Sequence, residues 1–284
     1  MDEIIECLKE SFREISLILR ESNLLEISNL IKLQNESGDS MKKIDYISND
    51  IIKNKLKDCK EVRNLCSEEE KEMIPINSNG KYLVSFDPLD GSSNVSSNVS
   101  VGSIFCIFEY VDDEIKGMEN ILVSGYTVYS TCTQLILAKN NNVDIYQLKH
   151  KNGFTLMREN ITVPESGSSY AINEGNKHRW LDSKINDYVN KLIEKNKTQR
   201  WVGSLVADAN RILINGGVFM YPRDKKSKDG KIRLLYEAYP MAFIFKCAKG
   251  YSNILEIPFP KDLHKKTPIF LFGKEEYDLY LNSI

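Results

Sequence analysis

Residues 81–94 read Lys-Tyr-Leu-Val-Ser-Phe-Asp-Pro-Leu-Asp-Gly-Ser-Ser-Asn. The first six are apolar and β-branched or aromatic enough to form a strand, and turn chemistry follows. Asp87 and Asp90 therefore fall where a strand ends and a turn begins. Pro88 fixes φ at about −65°, which can aim two carboxylates and the Leu89 carbonyl at one point. Three oxygen donors in four residues suit a hard cation such as Mg²⁺. Gly91 allows close backbone approach, and the N–H groups of Gly91, Ser92 and Ser93 can form an anion-binding nest. A plain turn with helix-capping serines reads the same residues equally well. Its place at a strand end, and the acids upstream, favour metal and phosphate chemistry.

Those acids are Glu68, Glu69 and Glu70, with Asp45 further upstream. Adjacent carboxylates repel one another unless a cation neutralises them. A solvated acidic loop, or a capping box from Ser67 to Glu70, accounts for the run without a metal.

Outward from this centre, short strands are expected over 81–86, 102–110, 122–130, 133–138, 143–148, 217–221, 232–235 and 269–272. Apolar periodicity predicts helices over 4–19, 41–56, 181–194, 205–214 and 238–248, and from Glu275 to the end. The polar stretch 34–40 reads as a loop. Strands and helices alternate in blocks, so the chain is a mixed α/β (α+β) protein of two halves, 1–160 and 161–284. Its 284 residues carry 38 Lys plus Arg against 40 Asp plus Glu, which excludes the global basic field of a nucleic-acid binder. No apolar run approaches the length that spans a bilayer, and the acidic N-terminus lacks targeting character. The expectation is a cytoplasmic protein. Its six cysteines are scattered without zinc spacing, and they read as reduced thiols, a Cys59–Cys66 switch being disfavoured. The three histidines, His150, His178 and His264, read as solvated surface.

At this point the sequence resembles the class I fructose-1,6-bisphosphatases of the lithium-sensitive, magnesium-dependent phosphatase superfamily. The matching blocks are Gly38-Asp39, 42–45, 48–50, 67–69, 80–94, 99–105, 173–175, 202–208, 216–222 and 230–237. Of these, Gly-Lys-Ile-Arg-Leu-Leu-Tyr-Glu at 230–237 is more specific than the motif shared with inositol monophosphatases. The resemblance implies a layered α/β/α/β/α sandwich that forms homodimers or homotetramers. It implies that Glu68, Glu69, Asp87, the Leu89 carbonyl, Asp90 and Glu237 hold two or three Mg²⁺ ions, with Mn²⁺ as a substitute. Asp45 and Glu69 would activate water, and Arg233 would support the metal and phosphate region. Gly91, Ser92 and Ser93 would cradle the 1-phosphate of a sugar bisphosphate. Asn173, Tyr221 and Lys231 would bind the sugar and its 6-phosphate, which Arg200 of a neighbouring subunit would also reach.

Four departures from that pattern carry expectations of their own. Ser96 stands where the family has an acid, Asn176 and Trp201 where it has tyrosines, and Glu109 where AMP-sensitive members have an arginine. Ser96 bears on turnover, Asn176 and Trp201 on affinity for the second phosphate, and Glu109 on AMP, which should inhibit weakly or not at all. The chain also lacks a cysteine-bearing insertion of the thioredoxin-controlled kind. Related activities on sedoheptulose-1,7-bisphosphate or inositol phosphates, and a non-catalytic role, stay open at the level of sequence.

Overall fold

Alternate residues of the central strands are apolar on both sides, so the sheet that they build is covered on both faces. The computed structural model describes residues 1–27, 29–34, 40–254 and 257–283. The Gly38-Asp39 block lies outside them, as does most of the expected 34–40 loop. Eight strands form the larger sheet, in the spatial order Gly153–Arg158, Asn142–Lys149, Thr133–Lys139, Ile121–Tyr129, Gly102–Glu109, Tyr82–Asp90, Val62–Ser67 and Ile74–Pro75. All neighbours are antiparallel except Val62–Ser67 and Tyr82–Asp90, which run parallel.

On one face of this sheet Val84, Phe86, Phe105 and Ile107 pack against Ile4, Phe12 and Ile15 of the Asp2–Glu21 helix and Ile44 and Ile52 of the Lys43–Leu56 helix. On the other, Leu83, Ile104, Cys106 and Phe108 meet Ala209 and Ile212 of the Leu205–Asn215 helix and Tyr239 and Ile244 of the Tyr239–Cys247 helix. Those two helices also cover one face of a second, five-stranded sheet through Phe219 and Leu271. Its order is Thr198–Gln199, Ser169–Ala171, Val218–Tyr221, Ile269–Phe272 and Tyr251–Ser252. Its far face, with Val218, Met220 and Phe272, packs on Tyr188 and Leu192 of the Ser183–Glu194 helix and on Tyr277 and Tyr280 of the Lys274–Leu281 helix. The layers are thus α/β/α/β/α, as expected.

Some local expectations need correction. The strand Val62–Ser67, next to last in the larger sheet, was not expected, because its polar Arg63 and Asn64 conceal the strand pattern. The strand at 81–86 continues to Asp90 with a break in register between Asp87 and Asp90. Pro88 has no N–H for the ladder, so the bulge falls there. The expected strand 232–235 stops at Arg233, and residues Leu234–Ala238 form a π-helical turn. Helix 41–56 starts at Lys43, after a short strand Ser40–Lys42. Cys59 has Cys7 as its thiol neighbour, at 3.3 Å between sulfurs, while Cys66 lies buried in the sheet.

Candidate active site

Three segments distant in sequence meet at the end of the bulged strand. Glu68 and Glu69 follow the Val62–Ser67 strand, which runs parallel beside Tyr82–Asp90, so both strands deliver their acids to the same edge. The third segment is the π-helical turn. Its wide ring brings Glu237 back toward the start of its own turn, where the Glu237 carboxylate accepts the Arg233 backbone N–H at 2.6 Å. Carboxylate oxygens of Asp87, Asp90 and Glu237 consequently lie within 4.8 Å of one another.

The acids also accept hydrogen bonds from groups outside the cluster. Asp87 accepts the Leu89 N–H at 2.9 Å. Asp90 accepts the Val206 N–H at 3.0 Å and the Ser204 hydroxyl at 3.3 Å, both from the start of the Leu205–Asn215 helix. Glu68 receives Arg233 Nε at 3.3 Å. Burial raises Asp87 and Glu237 well above the usual carboxylate range, and repulsion from Glu68 and Asp90 adds to it. Burial also pushes Asp90 up to about 6 against the opposing Val206 N–H. Removing water from like charges disfavours ionisation, and a multivalent cation reverses that preference. A cluster of buried oxygen donors of this kind fits a hard divalent cation.

Asp45 stands apart from the cluster, as the third residue of the Lys43–Leu56 helix, where its carboxylate accepts the Lys42 N–H at 3.1 Å and the Ser92 hydroxyl at 3.3 Å. Burial raises it to about 6, with those hydrogen bonds acting in the opposite direction. Lys42 Nζ donates to the Ser92 carbonyl at 2.7 Å, tying the helix to the Gly91–Ser93 turn. The turn begins at Gly91 with φ of 75°, a left-handed conformation that suits glycine.

A cleft of about 540 Å³ is lined by Asp45, Glu68, Glu69, Asp87, Leu89, Asp90, Gly91, Ser92, Ser93, Asn173, Tyr221, Lys231, Arg233 and Glu237. Every site residue expected from sequence is there except Arg200, which is exposed and does not line the cleft of its own chain. Trp201 lines it in place of the expected tyrosine, stacked on Phe219 with ring centroids 6.1 Å apart. Asn176 and Ser96 are not part of the lining. His264 is not the free surface group that its polar context suggested: Nε2 lies 3.0 Å from the Glu70 carbonyl, and the ring sits 5.5 Å from Tyr236.

Geometry adds two cations that sequence reasoning assigned no role. Lys42 belongs to the quoted block 42–45, and its position just before Asp45 was the available signal. Lys266 lines the cleft through a strand pairing that nothing in its local Lys-Lys context announces.

A carboxylate cluster beside a glycine-led turn, in a five-layer α/β fold, defines a sugar-phosphatase type of architecture. The fructose-1,6-bisphosphatase N-terminal domain family matches residues 1–159 and its C-terminal domain family matches residues 163–281. The chain belongs to the fructose-1,6-bisphosphatase family. It is 38% identical over 281 residues to a class 1 fructose-1,6-bisphosphatase of Persephonella marina, covering 94% of this chain and 86% of that protein. It is likewise 38% identical over 291 residues to one of Neisseria meningitidis serogroup C, covering 95% and 89%. Among solved structures, Leishmania major fructose-1,6-bisphosphatase in holo form superposes with a TM-score of 0.92 at 35% identity, over 99% of this chain and 93% of that one.

Proposed function

We propose that this chain hydrolyses the 1-phosphate of fructose-1,6-bisphosphate, giving fructose-6-phosphate and inorganic phosphate, with Mg²⁺ as its cofactor. The observation that carries the reading is the convergence of Asp87, Asp90 and Glu237 beside the Gly91–Ser93 turn. Glu68, Glu69, Asp87, the Leu89 carbonyl, Asp90 and Glu237 would hold two or three Mg²⁺ ions, or Mn²⁺. The metal supplies positive charge that stabilises the transferring phosphoryl group.

The protein's own groups do the rest. Backbone N–H groups of Gly91, Ser92 and Ser93 orient the 1-phosphate. Asp45, held by Lys42 and Ser92, acts with Glu69 to orient the attacking water and take its proton. Arg233 sets the Glu68 carboxylate and adds charge beside the reacting phosphate. Asn173, Tyr221 and Lys231 bind the sugar and its 6-phosphate. Arg200 acts from a neighbouring subunit in a homodimer or homotetramer, which its exposure allows. In this reading residues 1–160 carry most metal ligands and residues 161–284 the sugar and 6-phosphate groups. Among the described residues no helix is long and apolar enough to cross a membrane, and we place the protein in the cytoplasm.

The test is phosphate release with and without Mg²⁺ from fructose-1,6-bisphosphate, sedoheptulose-1,7-bisphosphate and inositol monophosphate, with Asp90→Ala as the blank. Mg²⁺-dependent release, fastest from the fructose compound and lost in the variant, is the expected result. Preference for another compound moves the substrate, and no turnover on any of them overturns the reading.

A further inference from the structure

Arg233 and Lys266 are directly opposite one another in the short antiparallel pair Ile232–Arg233 and Lys266–Thr267. Directly opposite side chains share a face, and like charges placed so repel unless an anion stands between them. Arg233 is 4% exposed and already committed: Nε faces Glu68, and Nη1 donates to the His264 carbonyl at 3.2 Å. Lys266 is half-buried on the cleft wall. Among the described residues its ammonium makes no hydrogen bond, ion pair or ring contact.

The backbone beneath it has little freedom. Gly230 has φ of +96° and lies so close to the opposite strand that a Cβ would fall 2.1 Å from the Thr267 carbonyl carbon. The Leu234 N–H donates to the Lys265 carbonyl at 2.8 Å. A half-buried lysine on a fixed strand, paired across it with Arg233 and without an anion of its own, matches an anionic ligand brought from outside. Lys266 lines the cleft together with Lys231, Tyr221 and Ser227, which the reading above gives to the sugar, and with Ser227 and Gly230 it also lines an adjoining groove whose lining does not include Asp87, Asp90 or Glu237. Lys231 Nζ lies 5.7 Å from the Tyr221 ring centroid.

We propose that Lys266 is a specificity-determining residue that pairs with the second phosphate of the substrate. Together with Lys231 it gives this chain a cationic grip on that phosphate from its own strands, and so sets the preference for a bisphosphate over a monophosphate. The inference rests on the bisphosphatase reading above and adds to it.

The test compares kcat and KM for fructose-1,6-bisphosphate and for fructose-1-phosphate, which keeps the reacting group and lacks the second phosphate. Lys266→Ala should raise KM for the bisphosphate about tenfold, the low end of what a charge-assisted hydrogen bond contributes. Its kcat, and both constants for fructose-1-phosphate, should stay unchanged. Lys266→Arg should restore most of the bisphosphate KM, and Lys266→Met, which keeps the aliphatic stem, should behave like the alanine variant should the latter fold poorly. Equal losses on both substrates would place Lys266 at the reacting phosphate and overturn the proposal. An unchanged KM ratio in the alanine and methionine variants would overturn it as well. Failure of the bisphosphatase reading is seen separately, as a wild-type protein that does not turn over fructose-1,6-bisphosphate.

Discussion

The Glu237 carboxylate is held by the backbone N–H of Arg233, at 2.6 Å, while the Arg233 side chain points elsewhere, to Glu68 at 3.3 Å. One residue thus positions two acids by two independent means. The two contributions separate by mutation, because a side-chain substitution leaves the backbone N–H in place.

Arg233→Ala should therefore keep Glu237 in position and lose only the guanidinium. We expect kcat to fall about a hundredfold, as removal of one preorganised charge stabiliser does, while Mg²⁺ still raises the melting temperature. Glu237→Gln should abolish both. Steady-state kinetics beside thermal melts with and without Mg²⁺ distinguish the two patterns. Loss of the Mg²⁺ response in Arg233→Ala would contradict the assignment.

Stability of the metal-free protein should depend on pH through Asp90. Its folded-state value, about 6, lies above the unfolded value of 3.8, so the group contributes stability below about pH 4 that is lost as pH rises through 6. Asp90→Asn keeps the acceptor for the Val206 N–H and removes the charge. Without metal it should melt higher than wild type at pH 7.5 and nearly together with wild type at pH 3. With saturating Mg²⁺ the order should reverse, because ligand binding stabilises only a protein that binds it. Melting curves at the two pH values, with chelator or Mg²⁺, check both signs.

Asp45→Asn should separate water activation from metal binding. Asp45 is held by Lys42 and Ser92 and is not one of the three clustered acids. Turnover should drop between about a hundred- and ten-thousandfold, the range for a lost general base. The Mg²⁺-induced rise in melting temperature should persist, and a variant that also loses this response would show Asp45 to be a metal ligand.

AMP should inhibit turnover weakly or not at all. Glu109 pairs with Tyr82 across the Tyr82–Asp90 and Gly102–Glu109 strands. Burial raises the Tyr82 phenol, and the nearby charges of Glu61 and Glu109 raise it further. An acidic surround disfavours a nucleotide phosphate beside the Lys81-Tyr82 pair. An AMP titration of phosphate release that showed strong inhibition would refute this.

Much of the site was legible because its chemistry is local in sequence. Asp87, Leu89, Asp90 and Gly91 follow one another, so their shared purpose survives without a fold. What stayed hidden depends on pairing across distance. The strand that leads into Glu68 was invisible because Arg63 and Asn64 break its apolar alternation, and it shows only through its parallel neighbour. Leu234–Ala238 is apolar and aromatic apart from Glu237, and such a run does not distinguish a strand from a helical turn by periodicity. Lys266 and His264 became meaningful only once the final strands had folded back onto Arg233 and Glu70. Arg200 needs a second subunit for its proposed role, and one chain's sequence does not contain that geometry.

Asp90 is gripped by the first turn of a helix that begins at Leu205, and the cluster is closed by Glu237. A growing polypeptide that has emerged only as far as residue 160 already holds Asp87 and Asp90, yet has neither the clamp on Asp90 nor the third partner of the pair. Domains emerging from the ribosome fold as units, N-terminal first. On the proposed assignment of these acids the catalytic centre is therefore born late, in the closing stretch of synthesis, and a truncated product released before residue 237 should be hydrolytically silent however well its first sheet has formed.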